Sequence, residues 1–466
     1  MCLFSLVGIG QDTTFIVSWG GLNNEEPISA HKISGGLLTV SNTGSYGSGS
    51  SDVYFTLVTE EASIDTSWTY GGVTEDIALS SVVSGGSFII LVYSNSFDDP
   101  SFKYHLLCYD STFSLFNDIE LEWDFDPERH PSVIETNVGF AVCGREGTDY
   151  KVETYTEAGG LIGRVEFSLR GYGQTTQLIT GDSILIGSID SVSNSIEVFT
   201  SRGDLNTGQI VFSPIDTVYE AEMGFFTEPD SVGDFYFVYN YRLDQSSSSD
   251  IQMVKLNAEL DTIWTEAYIW PEDDYARTGF VNADYELTFI GTINSFGESG
   301  DFGLGRWDSA GSFVDLRTLG SSSLDEGFAV VQNDNDGYWL FGQTFGFQAA
   351  LSDLLVYYTN SSGITSSNVF LKLQDDLVAV VGNAELYHDR LDSPIVYPNP
   401  FSDHISLKNI SGSTAFRFTI FDAFGRIVKV DSEEYGMIDL SALNNGVYFY
   451  HLIHGSKSYR GKLIKK

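Results

Sequence analysis

The chain has 466 residues, room for two or three domains and a sizeable core. Lys and Arg number 24 against 64 Asp and Glu, a formal charge of −40 that disfavours nucleic acid and anionic membrane surfaces as partners. Three cysteines exclude a disulfide framework, while 47 Gly, 33 Phe and 25 Tyr with only 10 Pro point to many short strands and turns rather than disorder.

Residues 1–10 hold a short apolar run that ends in small residues at Gly8 and Gly10. They read as the remnant of a secretory signal peptide, with a first β-strand as the alternative. No stretch of 18 apolar residues follows, so no membrane-spanning helix is expected.

From residue 11 to 376 the chain repeats. The clearest unit runs Trp68-Thr69-Tyr70-Gly71-Gly72, an acidic pair Glu75-Asp76, a strand, the turn Gly85-Gly86, a second strand, and a third opening at Lys103. Comparable turns recur at Gly35-Gly36, Asn137–Gly139, Gly181-Asp182, Val232-Gly233, Ala283-Asp284 and Asp336-Gly337. Such two-residue turns suit the right-handed twist of a hairpin. A polar residue opening the third strand recurs as Asp52, Lys103, Asp149, Ser193, Asp250, Asp301 and Asp353. Two markers, each seven times at a period of roughly 50 residues, suit a β-propeller blade, and a ring of blades buries faces that one blade alone would expose. Seven blades are therefore expected. Cys108 and Cys143 lie in apolar runs and read as buried free thiols, with a single bridge between them as the alternative.

The periodicity stops near Gln374, and 377–393 reads as a linker. The last stretch, 394–466, has nine basic and six acidic residues, a charge of +3 that leaves −43 on the rest. Its apolar runs are short, alternating and bounded by Pro, Gly, Asn or Ser, as in a small β-sandwich. Pro398-Asn399-Pro400 removes two N–H donors, and Gly425 and Gly446 mark turns.

The order of Tyr397-Pro398-Asn399-Pro400-Phe401, Phe421-Asp422-Ala423-Phe424-Gly425, Gly446-Val447-Tyr448 and Gly461-Lys462-Leu463-Ile464-Lys465-Lys466 resembles the type A C-terminal sorting domain of the Bacteroidota type IX secretion system. The repeats are also similar to propeller repeats found ahead of such tails. The resemblance implies an all-β chain, a seven-bladed propeller followed by an Ig-like sorting sandwich. It implies export through the periplasm to the medium or the outer-membrane surface, with Pro398, Asn399, Pro400, Gly425, Gly446, Tyr448, Lys462 and Lys465 in the sorting signal. The implied partners are the type IX translocon, its C-terminal signal peptidase, and surface lipopolysaccharide after cleavage.

Acidic pairs recur about ten residues before the hairpin turn, at Glu25-Glu26, Glu75-Asp76, Asp273-Asp274 and Asp325-Glu326. In a propeller one repeat position maps to one ring, so Glu26, Asp76, Asp274 and Asp325 form a candidate acidic ring for a hard cation such as Ca²⁺. The plainer reading is that each carboxylate accepts hydrogen bonds from its own loop, and no cofactor is required. Asp334–Gly337 and Asp308–Gly311 read as turns, and Trp68, Trp123, Trp264, Trp270, Trp307 and Trp339 as packing between blades, with sugar stacking as the alternative. No zinc-protease, nucleophile-elbow, P-loop or dinucleotide motif occurs. The first expectation is a non-catalytic propeller that binds a glycan or protein ligand or acts as a scaffold. A hydrolase or lyase acting on extracellular polysaccharide is the alternative.

Overall fold

The computed structural model describes residues 14–365 apart from 97–101, 123–130, 147–148, 170–174, 193–194, 228, 231, 283–284, 297–298, 348 and 350, and then 370–372, 395–397, 401–408, 416–421, 427–431, 437–454 and 457–466. The signal-peptide reading at 1–10 and the linker at 377–393 lie outside the described residues. The chain divides into two compact units, Met1–Val381 and Gly382–Lys466.

The first unit is a seven-bladed β-propeller. Six blades are four-stranded antiparallel sheets of consecutive strands, spanning 25–70, 76–121, 132–168, 175–218, 220–268 and 274–319. The seventh takes three strands from 325–358 and receives the N-terminal strand Phe15–Trp19. That strand pairs antiparallel with Asp353–Tyr358 and parallel with Phe370–Lys372, so both ends of the repeat region meet in one sheet. Val17 and Trp19 are fully buried there, packed with Leu37, Tyr54, Trp339, Leu354 and Val356. The sequence leaves this strand unassigned because Phe-Ile-Val-Ser-Trp carries neither repeat marker.

The hairpin turns lie between the first and second strands of the blades, with 283–284 outside the described residues. Asp52, Lys103, Asp149, Asp250, Asp301 and Asp353 each open a third strand, and Ser193 is outside the described residues. Second strands such as Gly36–Thr43 are buried on both faces, which accounts for their unbroken apolar runs. Fourth strands such as Leu115–Leu121 alternate between half-buried and exposed, as an outer edge should. The core lies in layers between neighbouring blades: Leu38, Val53 and Phe55 of the first pack against Phe88, Ile90 and Leu107 of the second.

The second unit carries a three-stranded sheet (Ile395–Tyr397, His404–Lys408, Met437–Asp439) and a four-stranded one (Phe416–Phe421, Ile427–Asp431, Gly446–His454, Lys457–Lys465). Phe401, Ile405 and Ile438 share one apolar core with Phe418, Ile420, Leu452 and Leu463, which makes it a sandwich.

Candidate functional site

Successive strands of a blade alternate in direction, so first and third strands begin on the same face of the ring, together with the loops that join blades. Glu25, Asp76, Asp274 and Asp325 are the first residues of the first strands in blades 1, 2, 6 and 7. Each stands two residues before the β-bulge of its strand, which makes Glu25, rather than its neighbour Glu26, the repeat equivalent of the other three. All four are fully buried.

The carboxylates of Glu25, Asp76 and Asp325 hold the loop ahead of their strand, and that of Asp274 holds the loop after the second strand of its blade. Asp76 Oδ2 accepts from Gly72 N at 2.8 Å, and Glu25 Oε1 from Gly21 N at 3.2 Å. Asp325 Oδ2 accepts from Ser321 N. Asp274 Oδ1 takes Asn294 N at 2.7 Å and Ser295 N at 3.1 Å. Among the described residues no three His, Cys, Asp or Glu side chains gather at one point.

Glu26 is exposed instead, on the rim of a cleft of about 500 Å³ on blade 1, where its neighbours are Asn23, Asn24, Asn42, Ser50 and Ser51. Asn42 ties the cleft to the next blade: its Nδ2 donates to Glu26 Oε2 at 3.4 Å and to Ala78 O at 3.3 Å, and its Oδ1 accepts from Ala78 N at 2.8 Å. Asn23 Nδ2 donates to Gly44 O at 2.6 Å and fixes the opposite wall. Amides, hydroxyls and one carboxylate on a rigid strand end make a surface suited to hydroxyl-rich ligands. Blade 5 repeats the pairing with Glu222 and Asn240 beside a smaller cleft of about 80 Å³, and there Arg277 forms an ion pair with Glu222 at 2.8 Å. Asn42 and Asn240 are residues of this face that the repeat pattern does not reveal, since Tyr93, Thr292 and Gln343 occupy the same register elsewhere.

Deeper in the first seam, His31 Nε2 lies 2.7 Å from Ser81 Oγ, which in turn is 2.5 Å from Ser29 Oγ. Burial pushes the His31 pKa down to about 4, so the ring is neutral at pH 7. Cys108 and Cys143 are free and fully buried. Trp68, Trp307 and Trp339 are buried, with Trp68 stacked on Phe55 at 4.9 Å and Trp307 on Phe289 at 4.4 Å; Trp264 and Trp270 pack against the blade 5–6 core, and Trp123 is outside the described residues. Asp110 and Asp308 cap turns, accepting from Thr112 N at 2.8 Å and Ser312 N at 2.8 Å.

In the second unit Tyr448 is buried and donates its hydroxyl to Asn444 O at 2.8 Å. Gly446 opens the strand that contains it. Lys465 is also buried; its Nζ donates to Leu440 O at 2.7 Å and Ser441 O at 3.0 Å, tying the last strand to the 440–441 turn. Lys462 lies on that last strand, and Pro398, Asn399, Pro400 and Gly425 are outside the described residues.

No curated protein matches the chain in sequence. Among solved structures it is similar to an ulvan lyase of a new polysaccharide lyase family, bound to -[GlcA(1-4)Rha3S]-, at 11% identity and a TM-score of 0.52 over 76% of this chain and 96% of that one. The β-propeller domain of the trilobed protease from Pyrococcus furiosus matches at 9% identity and a TM-score of 0.44, covering 77% and 99%. The acylaminoacyl peptidase of Pyrococcus horikoshii matches at 10% identity and 0.44, covering 83% of this chain and 57% of its own. Residues 395–466 match the secretion system C-terminal sorting domain family, so behind its seven-bladed propeller the chain carries the sorting tail of type IX secretion.

Proposed function

We propose that this is a secreted or cell-surface binding protein, delivered by its type IX sorting tail, whose propeller takes an extracellular glycan without turning it over. The observation that carries the reading is the blade 1 cleft, with Glu26, three asparagines and two serines around about 500 Å³. A glycan presents many neutral hydroxyls, which suit amide and carboxylate partners and suffer no repulsion from a chain of charge −40. After export the tail engages the C-terminal signal peptidase, and lipopolysaccharide is the anchor for a surface-held form.

A second reading, a lyase or hydrolase, is favoured by the His31–Ser81 contact of 2.7 Å and by the activity named for the ulvan lyase of similar fold. One experiment separates the two. The full chain is applied to a panel of acidic and neutral polysaccharides, with binding and released products both measured. The binding reading expects retention without products, and Glu26→Gln should weaken it by about tenfold or more, the usual effect of losing a charge-assisted hydrogen bond. Shortened or unsaturated oligosaccharides would replace it with the enzymatic reading.

A further inference from the structure

The clefts of blades 1 and 5 are repeat equivalents, and the cations that stand at the second are missing from the first. Arg242, on the wall of the blade 5 cleft, lies 3.4 Å from Glu220 Oε2 and 3.1 Å from Asp273 Oδ1. Arg277 Nη1 lies 2.8 Å from Glu222 Oε1. Arg277 is the extra residue of a bulge in the first strand of blade 6, between Ala276 and Thr278. Two guanidiniums therefore answer three carboxylates at this seam.

At blade 1 neither arginine position carries a charge. Gly44 stands two residues past Asn42 as Arg242 does past Asn240, and Leu79 is the extra residue of the blade 2 bulge, where blade 6 has Arg277. Two of the three acids remain. Glu26 pairs in register with Asn42 as Glu222 does with Asn240, and Glu75 precedes Asp76 as Asp273 precedes Asp274. Glu75 is bridged to Ser51 of the cleft wall. Among the described residues no Lys or Arg forms an ion pair with Glu26 or Glu75. Glu26 Oε2 accepts from Asn42 at 3.4 Å, which leaves Oε1 to the cleft. The open volume is about 500 Å³, against about 80 Å³ at blade 5. Blade 1 thus keeps carboxylates of the blade 5 seam and has space in place of its guanidiniums.

We propose that the blade 1 cleft binds the protonated amine of an amino-sugar unit, its ammonium on Glu26 where blade 5 holds an arginine. This rests on the glycan-binding reading of the cleft and narrows its ligand class. An ammonium gives Glu26 a charge-assisted hydrogen bond, whereas a uronate or sulfated sugar brings a second negative charge to it. Donors of the wall are spent on the protein itself: Asn23 Nδ2 on Gly44 O, Asn42 Nδ2 on Ala78 O and Ser50 Oγ on Thr74 O. A ligand that brings its own N–H and O–H groups fits what is left. The lining is Asn, Ser, Gly and Glu, with no aromatic or aliphatic side chain to hold the methylene stem of a lysine. An amino sugar offers hydroxyls beside its amine instead.

The test titrates the full chain at about pH 6, where a sugar amine is protonated, with short oligosaccharides of equal length built from glucosamine, N-acetylglucosamine or a uronate. The glucosamine oligomer should bind about tenfold or more tighter than the acetylated one, and the uronate weakest of all. Glu26→Gln should erase the tenfold preference. Gly44→Arg, which gives blade 1 the residue of blade 5, should abolish glucosamine binding, and Glu61→Gln, at an exposed turn on the opposite face, should change neither. Equal affinity for the free and acetylated amines, or tighter binding of the uronate, overturns the proposal and leaves the glycan-binding reading standing. An undiminished preference in a folded Glu26→Gln chain overturns it too, as does tetralysine binding as tightly as the glucosamine oligomer. Failure of every oligosaccharide to bind overturns the glycan-binding reading along with it.

Discussion

Asn42→Ala tests how neighbouring blades are joined. Asn42 is 4% exposed and grips both backbone groups of Ala78, accepting from its N at 2.8 Å and donating to its O at 3.3 Å. Ala78 lies beside the bulge of the first strand of its blade, which has a sheet neighbour on one side only, and Asn42 partners both of its backbone groups from the adjoining blade. Removing the amide strands one buried donor and one buried acceptor, at about 1–3 kcal/mol each, or about 3 kcal/mol together. With ~2.1 cal/mol/K of unfolding entropy per residue, a propeller of this size loses roughly 4 °C of melting temperature. Asn240 grips Ala276 in the same way, at 2.8 and 3.1 Å beside a matching bulge, so Asn240→Ala is an internal replicate. Calorimetry on the full chain should find both variants destabilised alike, and exposed Asn23→Ala within about 1 °C of wild type. A shift under about 1 °C for Asn42→Ala, or a cost at only one of the two sites, would refute the reasoning.

Two further outcomes follow from buried groups. The folded protein holds His31 at a pKa of about 4 against 6.5 for the free residue, so the unfolded chain binds the proton first. Its contribution is intact above about pH 6.5 and is lost as pH falls toward about 4, and His31→Gln should flatten that part of the stability profile. A His31 ring signal titrating near 6.5 by NMR contradicts this. The thiols of Cys108, pushed up to about 12, and of Cys143, raised further by complete burial, should not react with a thiol reagent in the native protein and should both react once it is unfolded. Native labelling of either would contradict the buried placement.

The blade number was legible because turn glycines and third-strand polar residues are local features, repeated without regard to what packs on them. Glu25 and Glu26 were harder to tell apart. Both are acidic, and only the bulge after Pro27 shows which one shares the register of Asp76. Asp52 and Asp76 each belong to a visible pattern, yet both carboxylates pack against Gly71 across a blade boundary, and periodicity along the chain does not report contacts between repeats. The ring's closure was hidden for a similar reason: Phe15–Trp19 pairs with strands from the far end of the repeat region. Lys465 enters the sorting signal by resemblance alone, and nothing in its local sequence tells that its ammonium caps the carbonyls of Leu440 and Ser441 inside the sandwich.

The account depends most on delivery, since the proposed glycan-binding surface serves nothing unless the propeller leaves the cell. The direct measurement is fractionation of a type IX-competent bacterium expressing either the whole chain or a chain ending before Ile395. The whole chain should reach the surface or medium, and the shortened one should accumulate in the periplasm as a folded propeller. Equal amounts of both outside the cell would contradict the role assigned to residues 395–466.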